Sequence, residues 1–145
     1  MTLAKSALTG VLLLAGAISG APDGARADAA LAVGQPADVA KQGVAVGWAV
    51  DYASKAAAEA EALARCRGFG EAPPATREMC RVVTTFSDTC LAVAFDPEAG
   101  TTGLGWGMHK DRDWAEDAAM EKCAESSAPK RREACRVALV RCDGR

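Results

Sequence analysis

Residues 31–33 and 44–50, and again 91–95 and 102–108, are runs of β-branched, aromatic and small apolar residues bounded by turn residues. Such runs predict strands. Between the last two stands DPEAG, built on Asp96, Pro97 and Gly100, which predicts a turn and so a hairpin. QPADVAKQG holds the same connecting place in the first half. After each hairpin the period lengthens. Ala58, Ala62 and Cys66 recur at four-residue steps, as do Ala115, Ala119 and Cys123, with Leu63 and Met120 on the flank. This spacing gives each of two helices a thin, alanine-rich face that can sit close to a sheet. Ser54 and Asp111 stand where amino-terminal caps are needed, and Glu61 with Arg65 make an i,i+4 pair on the polar side. Each helix is expected to end at its cysteine. A proline-containing loop follows, and then a third strand, 80–86 or 135–140.

The two halves are copies. GWAVDYASKAAAEAEALARC, residues 47–66, aligns with GWGMHKDRDWAEDAAMEKC, residues 105–123, with one gap. Upstream LAVG at Leu31 matches LAVA at Leu91, and downstream REMCRVV at Arg77 matches REACRVA at Arg132. An internal repeat decides the fold before any single element does. The expected fold class is α+β: a β-β-α-β unit present twice, roughly 30–90 and 91–142, with about six strands and two helices around a pseudo-two-fold axis.

The amino terminus belongs to neither copy. Lys5 precedes an apolar run from Ala7 to Ile18, and Ala25-Arg26-Ala27 fits the small-x-small pattern of a signal-peptidase site. Residues 1–27 therefore read as a cleaved signal peptide, leaving 28–145 as a single exported domain, periplasmic or extracellular. The run is shorter than the roughly 18 to 20 residues that a membrane anchor needs, and no later segment suits a transmembrane span. Without Lys5, Asp23 and Arg26 the domain carries 15 basic and 18 acidic side chains, a net charge of −3. That balance excludes nucleic acid as the expected partner. Lys130-Arg131-Arg132, the only basic cluster, reads as a solvated loop.

All six cysteines, at 66, 80, 90, 123, 135 and 142, lie in the domain. An even count in a small exported chain predicts three disulfides. The repeat favours Cys66–Cys80 and Cys123–Cys135 as local, equivalent bridges. Cys90 and Cys142, aligned with one another, would then bridge on the pseudo-axis. The crossed set Cys66–Cys135 and Cys80–Cys123 is the alternative. No metal is expected, because there is no C-x-x-C pair and His109 is the only histidine. Oxidised sulfur matters here, since an alanine-rich core buries little area per residue, and each bridge contributes about 3 kcal/mol.

Candidate chemistry is sparse. GTTGLGWGMHK, residues 100–110, superficially resembles a phosphate loop. Such a loop would follow a strand, end in Gly-Lys-Ser/Thr and open a helix at once, and this stretch does not. It reads as the returning hairpin strand, its glycines allowing close packing or a bulge. His109 near Asp111 and Asp113 suggests a general base. No serine is placed as nucleophile, and both aspartates suit a helix start. We expect no catalytic residues and no cofactor. Trp48 and Trp106, equivalent in the two copies, are read as core residues beside the alanine faces. Trp114 replaces Ala57 of the first copy and is expected to be partly exposed, so Trp114 with His109 is the candidate binding patch.

The Gly-Trp strand, the alanine-rich helix ending in cysteine, the CRVVTTFSDTC strand and their second copies resemble the domain of unknown function 4189 family of exported bacterial proteins. The resemblance covers nearly the whole mature chain and implies an exported disulfide-bonded module without an assigned activity. The expected role is non-enzymatic, by contact with a partner protein. The alternatives are a small secreted hydrolase and a structural or stress-resistant envelope protein.

Overall fold

Small and large apolar residues alternate along the central strand of each half, and that alternation sets the layers. The computed structural model describes residues 28–144; the signal peptide read at 1–27 lies outside them. The first unit contains β1 (Asp28–Gly34), α1 (Val39–Gln42), β2 (Ala45–Tyr52), α2 (Lys55–Arg67), α3 (Pro74–Glu78) and β3 (Arg81–Phe86). The second contains β4 (Cys90–Phe95), β5 (Leu104–His109), α4 (Arg112–Ser126), a 3₁₀ turn (Pro129–Ala134) and β6 (Arg136–Cys142). The fold is α+β with six strands, and both antiparallel sheets have the same order, β2-β1-β3 and β5-β4-β6. Three short helical pieces join the two expected helices. α3 and the 3₁₀ turn each begin on a proline, whose fixed φ suits a first helical position.

Ala30 and Ala32 of β1 pack with Ala58, Ala62 and Cys66 of α2. Ala92 and Ala94 of β4 pack with Ala115, Ala119 and Cys123 of α4. On the opposite faces Leu31, Val33, Leu91 and Val93 meet in one cluster between the sheets. The result is four layers, helix, sheet, sheet and helix, with equivalent faces joined as a pseudo-two-fold requires. Burying Leu31 or Leu91 completely contributes about 1.5–3 kcal/mol each.

The glycines of the Gly-Trp strands are explained by the helix layer. A Cβ on Gly47 would lie 2.2 Å from the Ala62 carbonyl oxygen, and one on Gly105 would lie 2.3 Å from that of Ala119. Gly107 faces the Ala115 carbonyl in the same way. β5 pairs with β4 without a register shift, so these glycines serve close packing and not a bulge. Both helices start as the sequence predicts. Ser54 Oγ accepts from the Ala57 amide, and Asp111 Oδ1 accepts from the Asp113 and Trp114 amides.

Three expectations are corrected. Leu31 pairs with Trp48 while Val93 pairs with Trp106, so the structural counterpart of Leu31 is Val93, not Leu91. The slip is two residues, which preserves the face and so leaves the alternation intact. Secondly, the bridges Cys66–Cys80, Cys123–Cys135 and Cys90–Cys142 are the local set, not the crossed one, but Cys90 and Cys142 are not symmetry mates. They are opposite each other at the end of β4 and β6 in one sheet. Carrying the register across places Asp28 and Ser87 at the corresponding positions of the first unit. Thirdly, Trp48 and Trp106 are half-buried in the inter-sheet cluster, away from the alanine faces, because their strand parity matches Leu31 and Val93.

Candidate functional site

Both hairpin connections, residues 35–44 and 96–103, end at the same edge of the sandwich, where a Cβ on Gly100 would lie 3.8 Å from the Ala40 carbonyl. Beneath them the inter-sheet layer is incompletely filled. A cleft of about 640 Å³ opens there, walled by Val46 and Trp48 of β2 on one side and by Val93, Leu104 and Leu139 on the other. Phe69 and Phe95 stand at its margin. Its size and apolar walls match those of ordinary ligand sites. Phe95 has the inward parity of Val93 but ends its strand, and it remains 42 % exposed.

The two connections that roof the cleft are held by different chemistry. In the first unit the buried Thr76 hydroxyl donates to the Gln42 carbonyl at 2.8 Å. In the second, Arg131 donates from Nε to Asp96 Oδ2 at 2.8 Å and from Nη2 to Oδ1 at 2.6 Å. Its Nη1 also meets the Glu98 carboxylate. This paired, two-point contact from Arg131 holds the buried Asp96 carboxyl below the usual aspartate range, and Asp96 in turn raises Arg131. Arg131 is therefore not part of a wholly solvated loop. Its flanking residues Lys130 and Arg132 are exposed.

The sequence-predicted patch lies elsewhere. His109 ends β5 opposite Cys90, at the far end from the connection 96–103. Its Nδ1 accepts from the Asp111 amide at 3.0 Å, and its ring centroid is 6.0 Å from that of Trp114. Trp114 is 65 % exposed, as its place opposite Ala57 suggested. The structure thus brings His109 and Trp114 together, while Asp111 is engaged in capping. Among the described residues no group of three or more His, Cys, Asp or Glu side chains is placed to hold a metal ion. No helix among them is long and apolar enough to cross a membrane.

Sequence reasoning missed the cleft because it placed Trp48 and Trp106 in the core beside the alanine faces and had no way to see how the two sheets meet. A signal existed at Phe95, a large aromatic residue beside the Asp96-Pro97 turn, where strand burial ends. Nothing local marks Arg131 as the partner of Asp96, 35 positions away.

No curated protein and no solved structure matches the chain. The family model for a domain of unknown function, DUF4189, matches residues 16–142. The chain therefore belongs to the DUF4189 family, as its Gly-Trp strands and paired cysteines indicated.

Proposed function

We propose that the protein is an exported, non-enzymatic binding module that acts by contact with a partner protein, and that it engages this partner at the cleft between the sheets. The observation that carries the reading is the apolar opening of about 640 Å³ bordered by Trp48, Phe69 and Phe95. Aromatic side chains in a preformed apolar recess are efficient anchors, because they contribute large contact area with few rotors to order. Three disulfides support an oxidising destination, periplasmic or extracellular.

The exposed Trp114 favours a second reading, in which the His109–Trp114 surface makes the contact. One experiment separates them. The oxidised protein serves as bait for envelope or medium proteins, alongside Ala138→Trp, which fills the cleft from an exposed position, and Trp114→Ala. Capture abolished by Ala138→Trp and retained by Trp114→Ala supports the cleft. The reverse pattern supports the patch, and capture unaffected by either substitution removes both.

A further inference from the structure

The cleft has features that specify its occupant beyond an apolar character. Two of its walls end in sheet edges, since β2 and β6 each have a neighbour on one side only. On β6 the lining residue Ala138 is bulged out of the ladder, without a partner in β4, and is exposed. Neighbouring edge carbonyls are covered by arginines of the chain itself: Arg65 donates to Trp48 and Arg141 to Val140. Ala138 lies between Cys135, whose carbonyl accepts from Arg136, and Val140. An unpaired strand edge beside an apolar recess is the arrangement that receives an extended polypeptide, with main-chain pairing and a side-chain pocket side by side.

The charge at the mouth is one-sided. Glu71, Asp96 and Glu98 line it against Lys41. Lys41 is bridged to Asp38, Arg131 answers Asp96 and Glu98 together, and Arg136 also acts on Asp96, which leaves the charge of Glu71 in excess. Glu71 is exposed and has no ion pair among the described residues. The surplus is negative, and it stands within a Debye length of anything seated in the recess. A complementary occupant carries positive charge next to its apolar anchor.

We infer that the cleft takes an extended stretch of a partner polypeptide that places one bulky apolar side chain between β2 and β6 and basic residues against Glu71 and Glu98. This rests on the cleft being the binding site. The edge strands favour a polypeptide over a cationic lipid, which would use the recess without needing them.

The test is selection from a random peptide display library on the full oxidised protein, followed by affinity measurement on labelled enriched peptides. Enriched sequences are expected to combine an aromatic or branched apolar residue with Lys or Arg within a few positions. Ala138→Trp should weaken them at least tenfold. Glu71→Lys, an exposed change that leaves the core untouched, should weaken them about fivefold and lessen their salt dependence. Enriched peptides that are neutral or acidic, yet blocked by Ala138→Trp, overturn the inference and leave the binding site standing. Peptides indifferent to Ala138→Trp while Glu71→Lys is also silent overturn both. A library that yields nothing, with dodecyltrimethylammonium bound in a manner blocked by Ala138→Trp, overturns the polypeptide occupant.

Discussion

The first and second β-β-α-β units share strand order, helix placement and glycine-mediated helix contacts, yet they are fastened differently at both ends. At the cleft, a neutral hydroxyl holds the connection of the first unit and a half-buried ion pair holds that of the second. At the opposite end, Cys90–Cys142 ties β4 to β6, where register puts Asp28 and Ser87 in the first unit. The repeated features are those that every copy of the unit needs in order to bury its own helix. The divergent ones fasten ends that any of several chemistries can hold. Duplication therefore preserved the packing and left the fastenings free to differ.

The largest effect should come from the fastening that only one unit has. Cys90→Ser with Cys142→Ser opens a loop with a sequence separation of 52 and is expected to cost about 4 kcal/mol in the chain-entropy model, read by denaturant unfolding. Losing Cys66–Cys80 or Cys123–Cys135, with separations of 14 and 12, should cost about 3 kcal/mol. Equal losses for all three would remove the distinction between the units. The shared glycines come next. Gly47→Ala and Gly105→Ala each drive a methyl group into helix backbone, and each should destabilise by about 3 kcal/mol, to a similar extent in both units. A large inequality would show that the helices are not docked alike.

The helix caps give a smaller effect. Ser54→Ala and Asp111→Ala should each cost about 1 kcal/mol. The last effect is local. Asp96 has its folded pKa held below the usual value by Arg131, so its contribution is present above the unfolded value of about 4 and is lost as pH falls through the folded one. Hydrogen exchange in residues 96–103 should therefore show lower protection factors at pH 3 than at pH 7, once intrinsic rates are corrected. Residues 35–44, fastened by Thr76, should change less. Arg131→Gln should abolish the difference between the two pH values. Matching acid sensitivity in both connections would mean that the ion pair does not distinguish them.

The cleft and the repeat were not equally legible in the sequence. The alanine spacing at 58, 62 and 66 and at 115, 119 and 123 foretold which helix face is buried, and Ser54 and Asp111 foretold where the helices begin. These are local consequences of a 3.6-residue period and of orphan amide groups. Strand parity was equally secure, since a slip of two residues in matching Leu31 to Leu91 still left leucine and valine on one face. The pairing Cys66–Cys80 and Cys123–Cys135 was the set the repeat favoured, but the crossed set obeys the same pseudo-symmetry and only the structure decided between them. The place of Cys90–Cys142 did not follow from the repeat, because a sequence alignment cannot tell a symmetry mate from a cross-strand neighbour.

By itself, then, the sequence determined the strands, the two long helices and their inward faces, which depend on residues within a few positions of one another, and the duplicated unit, which a comparison of the two halves reveals. Only the tertiary structure decided that the leucine-bearing faces of the two sheets close on each other and that both hairpin connections end over a gap they do not fill. It alone brought Arg131 to Asp96. These outcomes depend on how two separately formed layers meet, and the geometry of that meeting is fixed by side-chain volumes summed across both sheets rather than by any local pattern.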